Sequence, residues 1–136
     1  MPDSYTKIPR PESIDYFEKA MRNHNKVRDI KRISDSYYEI RRNNLSSIRV
    51  FVCNYYALSL SDYYDVLDDY NDIDCMITIS NWNGVTQEAY TQGKINNVGV
   101  FKMEEFLGAL NCERPSTYIR PIDREDNNKL SFRRKN

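Results

Sequence analysis

Apolar positions recur along the chain with two periods, and the switches between them mark its elements. Between Glu12 and His24, the residues Ile14, Phe17, Ala20 and Met21 fall at i, i+3, i+6 and i+7, one face of a helix. KVRDIKRI (26–33), SYYEIRR (36–42) and SIRVFVCN (47–54) then read as three short strands. Ser34-Asp35 and Asn43-Asn44-Leu45-Ser46 are the turns between them, short enough to favour an antiparallel meander. Helical spacing returns with Leu60, Tyr63, Val66, Leu67 and Tyr70, and Ser59 with Asp62 makes a capping box at its start. CMITIS (75–80) is a buried strand, Thr86 caps a further helix, and VGVFK (98–102) is a last strand. Met103, Phe106, Leu107 and Leu110 mark the final amphipathic helix. The order α-βββ-α-β-α-β-α predicts a single small α/β domain. Its sheet is mixed, a three-strand antiparallel meander followed by βαβαβ crossovers, and helices flank it.

Composition adds boundaries to this picture. At 136 residues there is room for one core. Residues 1–11, with three prolines, read as an extended arm, 12–110 as the domain, and 111–136 as an irregular basic tail. No apolar run approaches the roughly 18–20 residues of a membrane span, and MPDSYTKIPR lacks the apolar stretch of a secretory signal. The expectation is a cytoplasmic protein without membrane contact. Cys53, Cys75 and Cys112 are odd in number and without metal-ligand spacing, so reduced thiols are expected, with Cys53 and Cys75 in apolar strands. His24, the sole histidine, makes zinc sites and a Ser-His-Asp triad poor readings. No cofactor and no metal is expected.

Net charge is zero but segregated: residues 1–49 carry +4, residues 50–111 carry −7 and residues 112–136 carry +3. Three surfaces follow. Lys26, Arg28, Lys31, Arg32, Arg41, Arg42 and Arg49 could bind nucleic-acid phosphates, aided by Arg133-Arg134-Lys135, or be scattered surface cations. Strand alternation places Lys26, Arg28 and Arg32 on one face, and Arg41 with Tyr37 and Glu39 on one face of the next strand. Asp65, Asp68 and Asp69 lie off the apolar stripe of their helix, a solvated face that could also imitate a row of phosphates for a protein partner. The loop Ser80-Asn81-Trp82-Asn83-Gly84 follows a parallel strand, where open α/β sheets bind ligands. Asn81, Trp82, Asn83 and the Thr86 helix start could hold a ligand or partner, although Asn and Gly also suit any tight joint.

The element order, with MITISNWNGVTQEAY and NNVGVFKMEEFLGAL in its second half, resembles the restriction-endonuclease-like PD-(D/E)XK fold, and within it type IV restriction domains. The likeness covers residues 12–110. It implies a nuclease scaffold that holds Mg²⁺ with an acid before the second strand and an acid-x-lysine at the end of the third. Asp35 stands at the first position, after Ser34 where the motif has proline; Glu39 lies further along the strand and Glu18 on the first helix. The third strand ends Val52-Cys53-Asn54, so valine and asparagine replace the second ligand and the lysine. The resemblance therefore implies the fold without the cleavage, an enzyme only if Asp35, Glu39 and Glu18 form a divergent site.

Three functions are compatible with these features. The first is a cytoplasmic, catalytically degenerate nuclease-like protein that binds DNA or RNA. The second is an interaction or regulatory module acting on another protein or on its own copy, of the kind a phage, mobile element or defence system would carry. The third is a divergent metal-dependent nuclease.

Overall fold

The computed structural model describes residues 9–80 and 83–124. Helix α1 (Pro11–Asn23) leads into strands β1 (Val27–Arg32), β2 (Tyr37–Arg42) and β3 (Ile48–Cys53). After β4 (Ala57–Leu58) come α2 (Leu60–Asp69), β5 (Cys75–Thr78), β6 (Gly84–Val85), α3 (Gln87–Ile95), β7 (Gly99–Lys102) and α4 (Met103–Ala109). A 3₁₀ turn at Pro115–Thr117 and a helical turn over 121–124 follow.

The main sheet has the order β1-β2-β3-β5-β7. β1, β2 and β3 pair antiparallel, and β5 and β7 then add in parallel. The mixed α/β architecture read from the sequence is the architecture of the molecule. Each face of the sheet carries its own core. On one, α1 and α4 bring Phe17, Met21 and Phe106 onto Tyr38, Ile40, Val50 and Ile77. On the other, α2 and α3 bring Tyr63, Val66 and Ala89 onto Cys53, Met76 and Val100. Full burial of a side chain the size of Phe17 or Phe106 is worth about 1.5–3 kcal/mol, which is what ties the helices down. The capping box at Ser59 forms as its spacing implies: Ser59 Oγ accepts from Asp62 N–H, and the Asp62 carboxylate accepts from Ser59 N–H.

Three features depart from the sequence reading. β4 and β6 form a second, two-stranded parallel sheet beyond the ends of β3 and β5. A bulge between Val27 and Asp29 shifts the parity of β1, so Arg28 leaves the alternation on which its grouping with Arg32 depended. The first part of the predicted tail, though mostly irregular, packs on the domain. Tyr118 meets Phe101 edge-on at 5.9 Å, and Ser116 and Arg120 are buried. The last part, with Arg133, Arg134 and Lys135, lies outside the described residues, as do residues 1–8 of the arm. No described helix is long and apolar enough to cross a membrane.

Candidate functional site

The three carboxylates of the nuclease reading sit apart. Asp35 lies in the β1–β2 turn with its side chain 90% exposed, beside Arg32 at 3.9 Å. Glu18 on α1 accepts from the Tyr38 hydroxyl at 2.7 Å and from Arg22 at 3.2 Å. Glu39 follows Tyr38 in β2 and so projects from the opposite face, across from Arg49 and Lys31. Among the described residues no three His, Cys, Asp or Glu side chains group around a cation position.

The end of β3, where the resemblance places an acid and a lysine, is a knot of neutral side chains. Asn54 Oδ1 accepts from Ser80 Oγ at 2.6 Å and from Asn83 Nδ2 at 2.8 Å. Asn83 Nδ2 also donates to Thr78 Oγ1, whose own proton goes to the Tyr55 carbonyl at 2.6 Å. Val52 is fully buried. Cys53 is too, with its thiol donating to the Ile77 carbonyl; burial pushes its pKa up to about 12, so it is neither nucleophile nor ligand at neutral pH. Burial likewise raises the Cys75 thiol.

This knot explains half of the tryptophan loop. Asn83 ties the loop to β3 and β5, Gly84 N–H donates to the Tyr56 carbonyl, and Thr86 Oγ1 caps α3 by accepting from Ala89 N–H at 3.2 Å. Asn83 and Thr86 therefore act as a structural joint. Asn81 and Trp82 lie outside the described residues.

The seven cations assigned to nucleic acid divide sharply. Arg42 is 5% exposed and donates to the carbonyls of Ser46, Leu110, Cys112 and Glu113, so no phosphate can reach it. It belongs to the core, and its assignment to a binding patch is corrected. Arg49 bonds Asp72 and the Tyr37 hydroxyl, Arg41 lies 3.7 Å from Asp29, and Arg32 neighbours Asp35. Half-buried Lys26 and exposed Arg28 and Lys31 have no ion-pair partner among the described residues. Asp65, Asp68 and Asp69 are exposed along α2, likewise without a cation among those residues.

Sequence reasoning missed one concavity. A cleft of about 410 Å³ lies where β6 and β7 end, lined by Asn83, Lys102, Glu104, Glu105, Arg120 and Ile122 among others. Burial raises the Glu105 carboxyl above its ordinary value, against the Lys102 N–H that donates to it at 3.2 Å. Arg120 lies 3.5 Å over the Tyr90 ring and chelates Asp123. The pair Glu104-Glu105 in the first turn of the helix after β7 was the available signal; Arg120 was hidden because its segment reads as tail. His24 is structural. Its Nδ1 accepts from Lys26 N–H, which leaves Nε2 to donate to the Leu107 carbonyl and so pin α1 to α4.

Comparison with family models, with curated proteins and with solved structures gives no match to this chain. The functional reading rests on its own geometry.

Proposed function

We propose that this protein is a non-cleaving interaction module, a nuclease-like scaffold whose acidic α2 face engages a basic surface of another protein. One observation carries the reading: Asp65, Asp68 and Asp69 project from one helix with no ion-pair partner among the described residues, while Asp29, Asp35 and Asp72 each have an arginine. Residues 50–93 contain no Lys or Arg at all, so the negative potential of α2 goes undiluted by its own segment. Such a face speeds encounter with a cationic surface and selects against anionic ones. The end of β3 supports the non-cleaving part of this reading, since Val52 is buried there and Asn54 is bound to Ser80 and Asn83.

A second reading, a cytoplasmic protein that binds DNA or RNA phosphates, is favoured by Lys26, Arg28 and Lys31 on and beside β1. It ranks lower because four of the seven expected cations are buried or neutralised. Titration of the full chain with an arginine-rich peptide and, separately, with labelled duplex and single strands separates the two. Peptide binding that weakens with salt and is lost in Asp65→Lys/Asp68→Lys/Asp69→Lys supports the first. Strand binding that is lost in Lys26→Glu/Arg28→Glu/Lys31→Glu, without peptide binding, replaces it with the second.

A further inference from the structure

Among the described residues β1 pairs on one side only, with β2. A shallow cleft of about 400 Å³, lined by Arg22, Val27, Arg28, Asp29 and Ile30, runs beside it. The opposite edge of the sheet, β7, is packed by β6 and the 3₁₀ turn. An open edge exposes a row of backbone donors and acceptors, and charged side chains ordinarily keep copies apart because like meets like.

The phase of the ladder says which residues offer those groups. Ile33 N–H donates to the Tyr37 carbonyl at 2.8 Å. Hydrogen-bonded pairs alternate along an antiparallel ladder, so Lys31 and Asp29 direct their backbone groups to β2, and Ile30 and Arg32 direct theirs outward. A two-fold pairing of β1 with β1 centres either on a charged residue, Asp29, Lys31 or Arg32, or on Ile30, because both hydrogen-bonded and non-hydrogen-bonded pairs can lie on the axis. Centring on any of the charged residues sets that charge against its own copy.

Charge selects the other. On the face away from α1, the strands carry alternating signs: Asp29 stands opposite Arg41, and Lys31 opposite Glu39, which stands opposite Arg49. A second copy centred on Ile30 brings its Lys31 opposite Asp29 and its Asp29 opposite Lys31. The row then reads Arg49, Glu39, Lys31, then Asp29 and Arg41 of the second copy, with the sign changing at every step. The bulge leaves Arg28 without a partner in β2, so the regular pairing spans residues 29–31 of each copy.

We propose that β1 is a self-recognition edge, joining two copies of this chain antiparallel about Ile30 into one ten-stranded sheet. This site is separate from the α2 face and stands or falls independently of it.

The test is the association state of the full chain by sedimentation equilibrium, together with two variants. The wild type is expected to dimerise. Lys31→Asp places like charges opposite each other twice and is expected to weaken association about tenfold or more. Asp29→Lys/Lys31→Asp restores opposite signs across the interface and recovers it. Ile30→Cys gives an independent readout, because Cα atoms of a hydrogen-bonded pair stand about 5.5 Å apart, within disulfide reach. Mild oxidation of Ile30→Cys in a Cys112→Ser background should yield a covalent dimer that Cys112→Ser alone does not form, whether or not the charge variants fold. A monomeric wild type, a Lys31→Asp variant that dimerises like the wild type, or an Ile30→Cys variant that stays uncrosslinked overturns the proposal.

Discussion

The Arg42 guanidinium donates to the Cys112 carbonyl at 2.6 Å, across 70 positions of chain. Three more carbonyls share it, and through them a charged strand residue fastens the segment after α4 to the meander. Burial lowers the Arg42 pKa, yet an arginine stays charged in a protein.

Removing that charge leaves buried carbonyls unpaired. Arg42→Met should destabilise the fold by about 2–4 kcal/mol, as breaking a buried charged network does. Denaturant unfolding measures it. A midpoint equal to that of the wild type would mean that these bonds contribute nothing net.

Glu105 gives a pH dependence with a definite sign. Its carboxyl is raised from an ordinary 4.5, so protonation favours the folded state, and the ionised form is penalised. Its contribution to stability is therefore full below about pH 4.5 and declines as pH rises through the folded value. Glu105→Gln should raise the denaturant midpoint at pH 7 and leave it unchanged at pH 4. The reverse order would show that the Lys102 N–H bond outweighs burial.

Gly93 marks a close approach of α3 to β7. A methyl group there would meet the Val98 carbonyl at 2.6 Å and crowd the Val100 side chain. Gly93→Ala should cost about 1–3 kcal/mol, the usual range for overpacking, despite the better helix propensity of alanine. Thermal unfolding of the purified variant checks it, and a rise in Tm would contradict this packing.

The thiols should separate by access. Cys53 and Cys75 are fully buried with raised pKa values, whereas Cys112 is half-exposed. A thiol reagent at pH 8 should label Cys112 promptly, and the other two only on unfolding. Prompt labelling in a Cys112→Ser variant would contradict the burial.

Much of this arrangement was legible because it is local. Ile14, Phe17 and Met21, or Met103, Phe106 and Leu110, announce their buried faces through spacing alone. The fate of Arg42 was readable too. It shares parity with Tyr38 and Ile40, which are core, whereas its neighbour Arg41 shares parity with Tyr37 and Glu39 and stays outside. What sequence could not give is what depends on distant partners. Ala57-Leu58 is too short to carry a period, and it is a strand only because Gly84-Val85 lies beside it. The bulge at Arg28 leaves no signature in VRDIKR. Asp35 and Glu39 look close in the chain, yet strand alternation and the turn send their carboxylates in different directions.

The 3₁₀ turn against β7 has a consequence for how large any assembly can grow. Among the described residues one flank of the sheet is packed by β6 and the 3₁₀ turn and the other, β1, is unpaired, so a copy added at β1 would leave a packed flank at either end. Joining through the backbone therefore terminates at a pair and cannot propagate into a fibre.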